Sequence, residues 1–281
     1  MKKSTLFIGS ATALVTPFVG GEIDWLSFAS LIEFQLTAGT DALVICGTTG
    51  ESATLTYDEQ KECIAFAIDQ ARGRVPIIAG AGSNSTKNAA RLAKNAQKAG
   101  ADAILSVTPY YNKCSPDGLY KHFEAIAASV SVPLIVYNVP TRTGMSITPE
   151  EYLKLSEIDG VAAIKEAGRD IGAFAETAYL VGDRLDIYCG NDDMLLPELS
   201  LGAKGIISVV SNLEPKAVKR ICSAYFDDDH RRAAAEFKRL YPIIKQLSKG
   251  INPAPVKKLM ADRNMLKNEL RLPLTEITSD L

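Results

Sequence analysis

Short apolar runs rich in β-branched residues recur along the chain at nearly regular spacing, over residues 9–16, 42–46, 76–80, 103–107, 133–137, 161–165, 185–189 and 205–209. Between them lie segments whose apolar positions return every three to four residues, as in 24–38, 58–71, 86–99 and 116–129. That spacing predicts helices with one buried face. Runs that are apolar on both faces belong in a parallel sheet covered by helices. Eight such units without a glycine-rich dinucleotide fingerprint point to a closed barrel instead of a Rossmann sheet. The expected fold is therefore α/β: a (β/α)8 TIM barrel over 1–226 carrying the chemistry, followed by a C-terminal helical subdomain over 227–281, where helical spacing continues with no strand run between.

Composition narrows the class. A chain of 281 residues fits one large barrel, and 47% apolar with 23% charged residues is ordinary globular usage, which excludes disorder and coiled coil. Thirty-one basic against thirty-three acidic residues leave a net charge of -2, no electrostatic basis for binding nucleic acid or an anionic membrane, so small-molecule chemistry is expected. The opening Met1-Lys2-Lys3-Ser4 leads into a run, read as the first strand, that Gly9 and Pro17 interrupt; it is too brief and polar for a secretory core or a membrane span. Five cysteines without a CxxC pair argue against a disulfide framework and for the cytoplasm, and Cys46 reads as a small buried hydrophobe. The two histidines, His122 and His230, read as exposed helical residues far from each other, which leaves no metal site of the usual kind and no Ser-His-Asp triad.

In such barrels reacting groups sit at the C-terminal ends of the strands. The residues there are Gly47-Thr48-Thr49-Gly50-Glu51, Thr108-Pro109-Tyr110-Tyr111, Tyr137-Asn138-Val139-Pro140-Thr141-Arg142, and Lys165. Strand alternation puts Ala163, Lys165 and Ala167 on one face and Ala162, Ile164 and Glu166 on the other, so the lysine points inward between small neighbours and the glutamate outward. A lysine so placed snorkels to the rim, meets a carboxylate, or serves as a nucleophile. The last use needs a neutral amine, and burial is what lowers a lysine from its usual pKa of about 10.4. Tyr137 ends the preceding strand, about 4.8 Å away, as either a core aromatic or a proton shuttle for that amine. The Gly-Thr-Thr-Gly turn offers N–H groups and two hydroxyls where the next helix begins, which suits a carboxylate, and Glu51 reads as a helix-start charge. Arg142, in a loop beyond Pro140, is either solvated or grips a second carboxylate with its planar fork.

With these motifs assembled, the chain resembles the dihydrodipicolinate synthase and N-acetylneuraminate lyase family of lysine-dependent aldolases over its whole length. GTTGE at 47–51, VTPYYNK at 107–113, YNVPTRTG at 137–144 and AIKEA at 163–167 match in order and spacing. The likeness is greatest to the branch that condenses pyruvate with L-aspartate 4-semialdehyde towards diaminopimelate and lysine. The resemblance implies that Lys165 forms the Schiff base, that Tyr137, Thr49 and Tyr111 relay protons, and that Thr48 and Thr49 hold the pyruvate carboxylate. It further implies that Arg142 binds the carboxylate of the aldehyde, while Gly190 and Ile207 match positions whose backbone lines the pyruvate pocket. Tyr111 in this family reaches across a subunit interface, which implies a homo-oligomer, usually a tetramer built from tight dimers. No metal, nucleotide or prosthetic group is implied.

Members inhibited by lysine bind it at the dimer interface, and Ser52, Ala53, Asn84 and Tyr110 match that possible allosteric site. Where enterobacterial members carry two histidines and a glutamate, this chain has Tyr57, Gln60 and Asn88, with Lys87 nearby. Weak or absent lysine inhibition is therefore expected. Other readings stand beside this one: a lyase or aldolase of the same family acting on sialic acid or a 2-keto-3-deoxy sugar acid, against which Arg142 speaks; a barrel holding a phosphorylated ligand at the turns around Gly190 and Gly205; and a catalytically silent scaffold. The last two leave Lys165 and Tyr137 without a role.

Overall fold

The computed structural model describes residues 5–279 and 281, so Met1–Ser4, taken above as the lead into the first strand, lies outside the described residues. The predicted strands form β1 (Gly9–Ala13), β4 (Ala42–Ile45), β5 (Ile77–Gly80), β6 (Ala103–Val107), β7 (Leu134–Asn138), β8 (Val161–Glu166), β9 (Asp186–Cys189) and β10 (Gly205–Ser208). A small hairpin, β2 (Phe18–Val19) with β3 (Glu22–Ile23), was not foreseen, since two-residue strands carry no periodicity. The eight longer strands make a closed parallel barrel in the order β1-β10-β9-β8-β7-β6-β5-β4, the (β/α)8 architecture expected.

The helices are α1 (Trp25–Ala38), α2 (Tyr57–Ala71), α3 (Thr86–Ala99), α4 (Pro116–Ala127), α5 (Pro140–Thr143), α6 (Pro149–Leu155), α7 (Ile171–Val181), α8 (Leu195–Ser200), α9 (Pro215–Phe226), α10 (His230–Leu247) and α11 (Ala254–Asp262). Local chemistry sets their starts. Thr56 with Glu59, and Thr148 with Glu151, form reciprocal capping boxes at α2 and α6, and Pro116 and Pro149 open α4 and α6, where no amide partner is needed. Beyond Asp262 the described chain forms no helix, so the helical reading of 227–281 holds for α10 and α11 and fails for the tail.

The chain divides into two compact units: residues up to Ile8 with Ile78–Ile207, and Gly9–Ile77 with Ser208–Leu281. In the first, β6 to β9 pair in parallel, and Phe7 stacks on Tyr188 with ring centroids 4.2 Å apart. The Tyr188 hydroxyl donates to the Phe7 carbonyl at 2.9 Å. His122, expected on the surface, is buried on α4, with Nδ1 2.9 Å from the Thr86 hydroxyl, and desolvation pushes its pKa down to about 4. His230 is exposed as expected. In the second unit β1 pairs with β4, and the buried amide of Gln35 on α1 joins Thr12 to the carbonyl of Ser211. The tail packs back there: Glu269 accepts from the hairpin amides of Gly20 and Gly21, and Arg271 pairs with Glu59.

Candidate active site

In the first unit the site begins where β7 and β8 end. Tyr137 and Lys165 are direct partners in the parallel register, as alternation required. The Lys165 amine lies over the Tyr137 ring, 4.3 Å from its centroid, and the lysine is only 5% exposed. Among the described residues no carboxylate forms an ion pair with it. Of the bland alternatives, salt bridge and rim, neither describes this side chain. Ala163 and Ala167, both buried, flank it on the same face.

Glu166 faces the other way. Its carboxylate accepts from the Tyr152 hydroxyl at 2.5 Å, from the Asn138 amide at 3.1 Å and from the Gly168 N–H at 2.5 Å. Burial nevertheless raises its pKa, because desolvation outweighs those bonds. This network fixes the strand end that carries Lys165. A second inward tyrosine, Tyr188, is also in register with Lys165, but its hydroxyl is already engaged by Phe7. An inward phenol at this level is thus not by itself a proton shuttle.

Further candidates lie in this unit. Tyr111 is 94% exposed and holds a left-handed backbone with φ 69°, uncommon for a bulky residue. Arg142 is exposed within the one-turn helix α5, not in the loop expected. Ile207 is buried in β10. Gly190 closes β9 so near to β8 that a Cβ would fall 2.6 Å from the Glu166 carbonyl, and its N–H donates to that carbonyl. The glycine is therefore required by the neighbouring strand. Asn84 is part-exposed and Tyr110 exposed, and the Asn84 carbonyl accepts from Asn112.

In the second unit β4 runs into the Gly47–Gly50 turn through Cys46, a buried thiol held well above its ordinary range by the adjacent Cys63 and by desolvation. Gly50 permits the fold-back: a Cβ there would lie 3.1 Å from the Leu14 carbonyl, and the Thr16 hydroxyl bonds the Gly50 carbonyl at 2.7 Å. No α-helix starts at this turn. A 3-10 turn over Ser52–Thr54 follows and α2 begins only at Tyr57, so the helix-terminus part of the carboxylate argument is withdrawn. Thr48 is part-exposed. Thr49 is buried, and its Oγ1 accepts from Asn252 Nδ2 at 2.9 Å.

Glu51 is not the helix-start charge expected. It adopts φ 54° and pairs with Lys257 of α11 at 2.5 Å, the two side chains 1% and 0% exposed. The Lys257 amine also lies 4.2 Å over the Phe18 ring, and desolvation lowers its pKa against the pull of Glu51. Sequence reasoning missed Asn252 and Lys257, because they act across some two hundred positions. Ser52 carries its carbonyl to the Gln60 amide at 2.8 Å, with Ala53 beside it.

The sequence profile of the Dihydrodipicolinate synthetase family matches residues 6–281. The chain belongs to that family. A 4-hydroxy-tetrahydrodipicolinate synthase of Lachnoclostridium phytofermentans is 45% identical over 274 residues, 97% of this chain and 93% of its own. The crystal structure of dihydrodipicolinate synthase from Aquifex aeolicus aligns with a TM-score of 0.95 at 42% identity, covering 97% of this chain and 93% of that one. The chloride-inhibited dihydrodipicolinate synthase from Acinetobacter baumannii, complexed with pyruvate, aligns with a TM-score of 0.95 at 38% identity over 98% and 94% of the two chains. In this family member Lys165 and Tyr137 place a buried amine and a phenol side by side at adjacent strand ends.

Proposed function

We propose that this chain condenses pyruvate with L-aspartate 4-semialdehyde to 4-hydroxy-tetrahydrodipicolinate, a lyase of diaminopimelate and lysine biosynthesis that works through a Schiff base. The observation that carries the reading is the buried Lys165 amine in register with, and stacked on, Tyr137. The neutral amine adds to the ketone carbon of pyruvate, and loss of water gives an iminium. That cation withdraws electrons from the methyl carbon, so a proton leaves it to a relay of Tyr137, Thr49 and Tyr111. The resulting enamine forms a carbon–carbon bond to the aldehyde, whose carboxylate Arg142 holds bidentately. Attack by the substrate's own amine on the iminium carbon closes the ring and expels Lys165. Thr48 and Thr49 donate to the pyruvate carboxylate, and Gly190 and Ile207 present backbone to the same substrate.

Tyr111 serves a neighbouring subunit, which makes the working form a homo-oligomer, a tetramer of two tight dimers. Its extreme exposure and strained backbone support this. Five cysteines with no disulfide among them support the cytoplasm.

Borohydride reduction in the presence of pyruvate, followed by peptide mapping, tests the reading. A pyruvate-derived adduct on Lys165 is expected, absent in Lys165→Ala. A label elsewhere, or none, removes the assignment. Arg142→Ala is expected to impair use of the semialdehyde while leaving that adduct intact.

A further inference from the structure

One residue beyond the inward pair of Tyr137 and Lys165, β7 and β8 carry a second pair that faces outward. Asn138 follows Tyr137, Glu166 follows Lys165, and the two are themselves partners in the parallel register. Alternation turns them away from the barrel interior. The Asn138 Nδ2 lies 3.1 Å from each oxygen of the Glu166 carboxylate, which also accepts from the Tyr152 hydroxyl of α6 and the Gly168 N–H, both at 2.5 Å. Asn138 is 2% and Tyr152 1% exposed, so water has little access to compete for these bonds. The backbone repeats the tie: the Ala167 N–H donates to the Asn138 carbonyl at 2.9 Å, and the Gly190 N–H of the next strand end donates to the Glu166 carbonyl at 2.6 Å.

Strand ends are where ladder bonds run out and neighbouring chains splay, yet this is where Tyr137 must meet the Lys165 amine. Proton transfer requires hydrogen-bond reach, and a misplacement of about 1 Å costs on the order of 10²-fold in rate. A tie one residue further on, made on the opposite face, holds the two ends together without occupying the space that substrate needs. We propose that Asn138 and Glu166, braced by Tyr152, are positioning residues: their outward bond fixes the spacing of the Tyr137 phenol and the Lys165 amine on the inward face. The inference rests on the reading above in which Lys165 carries the Schiff base and Tyr137 takes up the methyl proton, and it gives three residues that need not touch substrate a part in that step.

The test combines steady-state kinetics with enzyme-catalysed deuterium exchange into the methyl group of pyruvate, measured in heavy water without the aldehyde. Asn138→Ala is expected to lower kcat and the exchange rate by about tenfold, part of the roughly 10²- to 10⁴-fold that acid–base catalysis supplies. The KM for pyruvate should stay near the parent's, and borohydride should still trap the adduct at Lys165. In a Tyr137→Phe background the same replacement should cost less than about threefold, because the group it positions for proton transfer is already gone. Tyr152→Phe keeps the buried ring and deletes only the hydroxyl, so it reads the tie even where the alanine variant fails to fold. Its exchange rate should fall in the same direction by about threefold, and that loss should shrink in the Tyr137→Phe background.

Exchange at the parent's rate in folded Asn138→Ala and Tyr152→Phe, with only the Tm lowered, would overturn the inference, since a purely structural tie moves stability alone. Equal losses with and without the Tyr137 hydroxyl, or a raised KM at unchanged kcat, would overturn it as well. These outcomes are separable from failure of the functional reading. A parent enzyme that forms no adduct at Lys165 defeats that reading. A parent that forms it, with a slow Tyr137→Phe and normal Asn138→Ala and Tyr152→Phe, defeats only the role given to the outward pair.

Discussion

Glu198 on α8 is 1% exposed and its Oε2 finds no hydrogen-bond partner among the described residues. The titratable groups bearing on it are the Cys189 thiol and the carboxylates of Glu166 and Asp193, with no cation among them, and desolvation pushes its pKa up to about 8 from 4.5. Between those two values the native state holds a proton that the unfolded chain releases. Stability therefore falls as pH rises from about 4.5 to about 8, by on the order of a few kcal/mol for this group alone. His122 acts in the opposite sense: its folded value near 4 means stability is lost as pH falls below about 6.5. Thermal melts of the parent should show a Tm that declines between about pH 6.5 and 8, where His122 no longer offsets Glu198, and Glu198→Gln should flatten that decline; parallel curves would refute the account. Neither residue was legible in the sequence as a buried titrating group. The placement of Lys165 and Tyr137, by contrast, was legible, because strand alternation alone puts both inward and adjacent strand ends bring them together. At the same scale, Tyr57, Gln60 and Asn88 stand where the resemblance puts two histidines and a glutamate in members inhibited by lysine, with Lys87 nearby, and Gln60 already spends its amide on Ser52. L-lysine titrated into the coupled assay should inhibit weakly or not at all, and half-inhibition at submillimolar concentration would contradict this.

The element that most needed a structure to be understood is α11. Its Lys257 and the turn's Glu51 form an ion pair closed to solvent, with the Glu51 carboxylate also accepting from the Arg271 amide at 3.1 Å. Removing one partner of such a pair strands the other charge, at a cost of about 3–5 kcal/mol. Lys257→Met should therefore lower stability by that order in urea unfolding and loosen the turn. Glu51→Gln with Lys257→Met should recover most of the loss, since the remaining amide keeps an oxygen for Arg271 and no bare charge is left. A double variant as unstable as the single one would show that the pair contributes chiefly packing. The helices α1 to α4 and the main strands other than β1, which was read three residues too long, were readable to within a residue or two, because each is long enough to show its period. The 3-10 turn after Gly50, the hairpin β2–β3 and α5 were not: each runs for about a single period, too short to show a repeat, and tertiary contacts decide its conformation.

For the molecule as a whole, the repeated strand–helix rhythm made the barrel legible, while the grip of the C-terminal region on the Thr49 turn rests on contacts no local pattern encodes. Association is the remaining question at this scale, and Tyr111 carries it. A large aromatic left 94% exposed on a left-handed backbone costs conformational energy with no return inside its own chain. A second copy that received the ring would supply the return and would make each catalytic site depend on two chains. Co-refolding Lys165→Ala with Tyr111→Phe in equal amounts tests this. Each variant alone should be nearly inactive. If Tyr111 works in its partner's site, half of the dimers are hybrids with one intact site each, and activity should return to about one quarter of the parent's. If Tyr111 serves its own chain, each hybrid holds two damaged sites and the mixture stays as inactive as its components.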